Sequence, residues 1–261
     1  MRKCLPIAAV LMFVAGAAGA IDLMPHQAEY RISLGTAVNA TQVGTARHGL
    51  TETCRAWRVD RAVDVSFSIT TTWGFNVASS LQASEARDGA RLEYTLKRLY
   101  NGDRTQRSGT VLPSPADIGR AELQGPAGPQ RLSLPAQTFL TASGLRHVIG
   151  ALQAGRTEFS FRLWDSEIIS DVFAVSVTLL GPDSITKPKS TGLTDGLTGE
   201  TAWPLHLAFR RARDGQAQAP LFSLTMLLHD TGVISRMTVP LGFVTLAIEP
   251  VSIKALPRIR C

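Results

Sequence analysis

The sequence predicts a mainly β protein, built as a large antiparallel sheet with one amphipathic helix near mid-chain. Three observations carry this reading. Apolar and polar residues alternate with period two through most of the chain. Turn dipeptides separate the alternating stretches, at Asp88-Gly89, Asn101-Gly102, Asp214-Gly215 and Thr231-Gly232. Helical spacing stands out in one place, between two long runs of strand-like sequence.

The strands follow in chain order. Tyr30, Ile32 and Leu34 alternate with polar residues, as do Val63, Val65, Phe67 and Ile69, and then Leu92, Tyr94 and Leu96. Later strands are expected at Phe159 to Leu163, Val172 to Leu180, Leu205 to Phe209, Phe222 to Leu228, Val233 to Val239 and Phe243 to Ile248. The segment Pro113 to Pro135, rich in Pro and Gly, reads as an irregular edge or linker, and Gly181 to Gly199 as a long polar loop. The helix is expected over residues 142–154, where Leu145, Val148, Ile149 and Leu152 fall at i, i+3, i+4 and i+7. Thr141 or Ser143 is suited to cap its start and Gly155 its end.

The chain has 261 residues, of which 44% are apolar and 18% charged, with a formal net charge of +6. Such a composition excludes a disordered chain and a bundle of membrane helices. Residues 1–20 have the three parts of a secretory signal peptide: basic Arg2 and Lys3, an uncharged run from Leu5, and the end Ala18-Gly19-Ala20. A short N-terminal membrane anchor is the alternative, but the run is brief for a bilayer core of about 30 Å. Cleavage after Ala20 removes Cys4, leaves residues 21–261 as a single domain, and lowers the charge to +4. No later segment has membrane-spanning length without charge, so no integral membrane segment is expected after signal removal. Basic residues are scattered, without the block or aromatic-interleaved stripe that nucleic acid requires.

Two cysteines then remain, Cys54 and the terminal Cys261. In an oxidising compartment an even pair reads as a disulfide. The alternatives are two free thiols, a metal site or an intermolecular link, and no CxxC or HxxxH accompanies either residue to favour metal. An intramolecular bond requires the C-terminus to lie within about 7 Å, Cα to Cα, of an early strand.

The sequence lacks a GxSxG elbow, a P-loop and a GxGxxG turn after a strand. Its five histidines, His26, His48, His147, His206 and His229, show no metal-ligand pairing. His147 and His206 read as packed or partly solvated residues. Asp165 and Glu167 in LWDSE read as a solvated strand end rather than an acid–base pair. Trp57, Trp73, Trp164 and Trp203 either fill the core and shield the disulfide or line a ligand groove. No catalytic residue, metal ligand or cofactor is assigned.

Several stretches, taken in order, resemble the EipB family of periplasmic cell-envelope-integrity proteins of alphaproteobacteria. They are the signal peptide, LMPHQAEYRISL at Leu23 to Leu34, ETCRAW at Glu52 to Trp57 and SSLQASEARDG at Ser79 to Gly89. LPAQTFLT at Leu134 to Thr141, the helix ending ALQAG, WPLHLAF from Trp203 and the final Cys261 complete the set. Arg55 and Ala56 depart from the acidic residue and glycine usual there. The resemblance implies a broken barrel, or β-spiral, of about fourteen antiparallel strands. It also implies a disulfide between Cys54 and Cys261, a periplasmic location and no catalytic activity. The function it implies is support of envelope integrity and stress resistance by binding an envelope protein or peptide. Two other functions compete: a lipid or lipoprotein carrier with an open barrel cavity, and an envelope hydrolase without a recognisable motif.

Overall fold

The computed structural model describes residues 21–68, 74–184, 197, 199–214 and 218–261. The expected signal peptide at 1–20, Ile69 of the expected third strand, Trp73, most of the Gly181–Gly199 loop and Gly215 of the Asp214-Gly215 turn lie outside the described residues.

An N-terminal meander runs through β1 (His26–Leu34), β2 (Thr41–Glu52), β3 (Ala56–Ser68), β4 (Gly74–Ala86), β5 (Leu92–Tyr100), β6 (Asp103–Leu112), β7 (Gly119–Gly125) and β8 (Gly128–Leu134). The short β9 (Thr138–Phe139) leads into α1 (Thr141–Gln153). A C-terminal meander follows, with β10 (Glu158–Asp165), β11 (Asp171–Leu179), β12 (Ala202–Arg211), β13 (Phe222–His229), β14 (Ile234–Leu241) and β15 (Val244–Ala255). The expected strands and helix appear, the helix shifted by one residue, but several strands run past the stretch their periodicity marks: β3 begins at Ala56 rather than Val63, and β15 ends at Ala255 rather than Ile248. At the β5–β6 turn Asn101 and Gly102 take φ of 47° and 98°, the positive pair that a two-residue hairpin of type I′ needs.

The two meanders join where β1 pairs with β15, His26 opposite Ala255 and Leu34 opposite Leu246. One continuous sheet results, in the order β8 to β1 and then β15 to β9. Every neighbouring pair is antiparallel except β9 with β10. The sheet is a broken barrel of fifteen strands, the fifteenth being the two-residue β9. Its free edges are β8 and β9, joined by residues 135–137 without a ladder between them. Pro129 and Arg131 on β8 and the brevity of β9 make both edges poor templates for further pairing.

One expectation needs correction. Pro113 to Pro135 is a regular β7–β8 hairpin at the sheet edge rather than an irregular linker. Its prolines fall at the β6–β7 connection, at the hairpin turn, where Gly128 takes φ 85°, and on the edge strand, where a missing N–H leaves the ladder intact.

Antiparallel order sorts the connections to two ends. The β1–β2, β5–β6, β12–β13 and β14–β15 turns share one end, and Cys54, the β4–β5 turn and the C-terminus share the other. The interior is packed. Trp57, Val59, Phe173, Leu205 and Leu228 surround Val148, Ile149 and Leu152 of α1. Leu92, Tyr94 and Val111 of the N-terminal meander meet Trp164 and Val172 across the barrel. Gly109 makes room for that contact, because a Cβ there would lie 2.7 Å from Tyr94 Cε1.

The helix is held at both termini. Ser143 Oγ accepts the Leu140 N–H at 3.0 Å, and the Glu85 carboxylate on β4 accepts the N–H groups of Ala142 and Ser143, each at 2.7 Å. Of the two expected caps, Ser143 serves the Leu140 N–H, while the first-turn donors are satisfied from a neighbouring strand. At the other end Gly155 takes φ 78°, and the N–H groups of Gly155 and Arg156 reach Leu152 and Ala151 carbonyls, a Schellman stop.

Candidate functional site: a polar transverse groove

The register aligns Val59, Ala83, Tyr94, Gly109, Leu123 and Gln130 in one row across β3 to β8. Strand pleating turns the neighbours of that row to the opposite face. There Arg58 and Asp60, Gln82 and Ser84, Glu93 and Thr95, Ser108 and Thr110, Glu122 and Gln124, and Arg131 line a groove of about 1040 Å³. At the usual spacing of neighbouring strands the six-strand groove is about 24 Å long. Its middle carries short hydroxyl and amide side chains, and Glu122 faces Arg131 at 4.0 Å near one end. Two cations and three anions nearly cancel. The groove therefore offers many hydrogen-bonding groups and little net field, which suits an extended polar chain better than an apolar or highly charged ligand.

At the disulfide end Cys54 and Cys261 are joined with their Cα atoms 5.5 Å apart. A polar knot surrounds the bond. Arg87 pairs with Glu52, lies 3.5 Å from Asp22 and stacks over the Trp57 ring at 4.5 Å from its centroid. Arg258 binds Asp22 at 2.6 Å, and the Ile259 N–H donates to Glu52 at 2.8 Å. The segments around Asp22 and residues 258–261 are thereby fixed to the β2–β3 and β4–β5 turns, as a terminal disulfide requires.

The tryptophans divide between core and periphery. Trp57 and Trp164 are fully buried and belong to the core rather than to a ligand groove. Trp164 Nε1 donates to Ser166 Oγ at 3.0 Å. Trp203 is partly buried against the core around α1, and Trp73 lies outside the described residues. The polar groove carries none of the described indoles. His147 stacks on Phe139 with ring centroids 4.4 Å apart, in keeping with a packed residue.

The expectation of a solvated Asp165–Glu167 strand end is overturned. The β10–β11 turn folds over the barrel interior, and Asp165 accepts the N–H groups of Ile168 and Ile169 at 2.6 and 2.7 Å. Burial, more than the neighbouring Glu167 charge, pushes the Asp165 carboxyl up from its ordinary value despite those donors. Glu167 pairs with Arg61 of β3, and Arg107 of β6 reaches Ser170 at 3.2 Å. Glu85 is likewise pushed up by burial, against the pull of its helix N–H partners.

His26 and His48 form a second buried polar pair, with ring centroids 5.4 Å apart. Burial holds His48 well below the ordinary imidazole value of 6.5, and the positive charge of Arg61 and the His26 ring act in the same direction. Burial lowers His26 too. A histidine whose folded pKa is depressed binds fewer protons than in the unfolded chain. Stability is therefore full above the unfolded value of 6.5 and falls as pH drops below it toward the folded values. The His48→Gln variant is expected to lose less melting temperature than the parent between pH 7.5 and pH 5.5, a window bracketing about 6.5. Equal losses in both proteins would refute this role for His48.

Among the described residues no three His, Cys, Asp or Glu side chains are placed to hold a metal ion. No helix among them is long and apolar enough to cross a membrane.

With the broken barrel and its terminal staple in view, the comparisons with known proteins are specific. The family model described as EipB-like matches residues 17–257. The chain belongs to the EipB-like family. No curated protein sequence matches it. The fold is similar to a crystal structure of a β-barrel-like protein of the domain of unknown function DUF1849 from Brucella abortus. That similarity has a TM-score of 0.78 at 16% identity and covers 91% of this chain and all of the other. This EipB-like chain thus keeps the architecture while most side chains differ.

Proposed function

We propose that the protein is exported to the periplasm by its N-terminal signal peptide and supports cell-envelope integrity by binding, without catalysis. Its ligand is an extended polar segment of an envelope protein or peptide, laid along the transverse groove. The observation that carries this reading is the groove itself, an aligned polar surface on six strands whose other face is anchored to a packed core. Rigid backing lowers the ordering cost of binding.

Membership of the EipB-like family supports the envelope role. The packed interior supports surface binding over lipid carriage, since α1 and Trp57, Phe173 and Leu205 occupy the space a carrier would leave open. The acids that burial pushes up support binding over hydrolysis: Glu85 and Asp165 each face backbone N–H groups, away from the groove.

The test is a deletion strain without a paralogue, challenged with detergent and a β-lactam. Deletion is expected to sensitise the cells, and the parent gene to restore growth. The variant Thr95→Arg/Thr110→Arg, which fills the groove from two outward positions while keeping the parent melting temperature, is expected to restore little. Unchanged sensitivity on deletion, or full rescue by the groove variant, would contradict the reading.

A further inference from the structure

The end of the barrel opposite the disulfide is unusual in charge. No charged residue lies between Arg31 and Arg47, between Asp64 and Glu85, or between Arg236 and Glu249. The described residues of these runs lie on strands that are neighbours in the sheet, β14, β15, β1, β2, β3 and β4, and on the β1–β2 and β14–β15 turns. The β1–β2 and β14–β15 turns lie side by side, with the Gly35 N–H donating to the Thr245 carbonyl at 2.7 Å. Each turn carries an apolar residue at its tip: Val38 is 98% exposed and Phe243 75%. Leu241 and Tyr100 are exposed on the same end, and Leu221 and Ile168 on the turns beyond. A soluble surface rarely gathers this much apolar area in one place without a use for it.

Cations flank the uncharged end. β5 and β6 pair Leu99 with Arg104 and Arg98 with Thr105, next to the uncharged start of β4. Lys97 and Arg104 are exposed there beside one exposed anion, Asp103, whereas Arg98 shares the inward row of Leu96 and is half-buried. The exposed apolar residues of this end sit on turns and strand ends rather than in the groove, so a flat apolar partner is matched better than a protruding one. An apolar tip bordered by Lys and Arg is complementary to a bilayer surface, whose acyl boundary takes the tip and whose anionic headgroups take the cations.

We propose that this end docks on a membrane bearing anionic lipid, inserting Val38 and Phe243 into the interface while Lys97 and Arg104 contact headgroup phosphates. The barrel then stands on the bilayer by one end, with the groove on its side wall free. This goes beyond the binding role proposed for the groove and does not depend on it.

The experiment is co-sedimentation of the purified protein with phosphatidylcholine vesicles, with and without phosphatidylglycerol. Binding is expected to phosphatidylglycerol-containing vesicles and to weaken with added salt, because screening reaches exposed charges. The variant Val38→Glu/Phe243→Glu, at the parent melting temperature, is expected to reduce the bound fraction about tenfold or more. The neutral groove variant Thr95→Gln/Thr110→Gln is expected to leave it unchanged, which separates this proposal from the groove. Parent protein that binds neither vesicle, or a tip variant that binds as the parent does, overturns the proposal. So does vesicle-free self-association that the tip variant abolishes, which would assign the surface to a second copy of the chain.

Discussion

Replacing both cysteines by serine, C54S/C261S, will cost up to about 5 kcal/mol of unfolding free energy, the chain-entropy value for so long a loop. The bond spans a sequence separation of 207 residues, nearly the whole described chain, so its removal frees the unfolded state more than any other single change. In the folded state the tail has further anchors. Arg258 remains bound to Asp22, the Ile259 N–H to Glu52, and the Leu256 N–H to the Pro25 carbonyl. The fold is therefore expected to survive in water with a lower urea midpoint and faster amide exchange confined to the last residues. An unchanged midpoint would show that the staple contributes nothing to stability. Removal of Arg87 should act differently. Arg87→Ala leaves the bond intact but strips Glu52, Asp22 and the Trp57 face of one shared partner.

Glu85→Ala will destabilise the protein by about 2–4 kcal/mol, because two backbone N–H groups at the start of α1 lose their acceptor in a site without water access. Glu85 is 1% exposed. The consequence reaches the core, since α1 fills the barrel and places Val148, Ile149 and Leu152 against both meanders. Glu85→Gln keeps a carbonyl acceptor and is expected to cost less than half as much. Because burial raises the Glu85 pKa, the charged form is the costly one. Its contribution to stability improves as pH falls through the raised folded value toward the unfolded value of 4.5, opposite in sign to the histidines. Thermal unfolding of the two variants checks the order, and a Glu85→Ala loss below about 0.5 kcal/mol would show that another group satisfies the helix start.

The strands legible in the sequence are those whose inward residues are apolar throughout, such as Leu92, Tyr94 and Leu96 of β5 or Phe159, Phe161 and Leu163 of β10. β6 was hidden because its inward positions are Thr105, Arg107, Gly109 and Val111: an arginine serves the β10–β11 turn and a glycine makes room for Tyr94. β2 was hidden by Gly44 and Gly49 and by His48, inward and polar. Polar residues pointing into a barrel break the period-two pattern wherever they find partners across the interior. The cysteine pair was legible because a chain read as exported leaves few alternatives for two thiols. The groove was not. Its side chains come from six strands spread over residues 58–131, and only the register brings Ser84, Thr95 and Thr110 together. A weak signal was present: outward positions of β4 to β6 carry Gln, Ser and Thr where an ordinary solvated face favours Lys and Glu.

Asp165 shows the opposite failure. Two acids beside a turn suggest solvation, yet the turn folds inward, and its backbone N–H groups give the carboxylate the partners that water would have given. Sequence spacing reports which residues are close along a strand and carries no information on which end of a barrel closes over its interior.

The claim on which the others rest is that an exported chain forms one wrapped sheet whose last residue is covalently tied to the β2–β3 turn. Non-reducing peptide mapping of the protein recovered from the cell envelope tests it most directly. The predicted result is a chain beginning at Ile21 with the Cys54 and Cys261 peptides joined to each other. Recovery of a chain that still carries residues 1–20, or of both cysteines as alkylated free thiols, would contradict it.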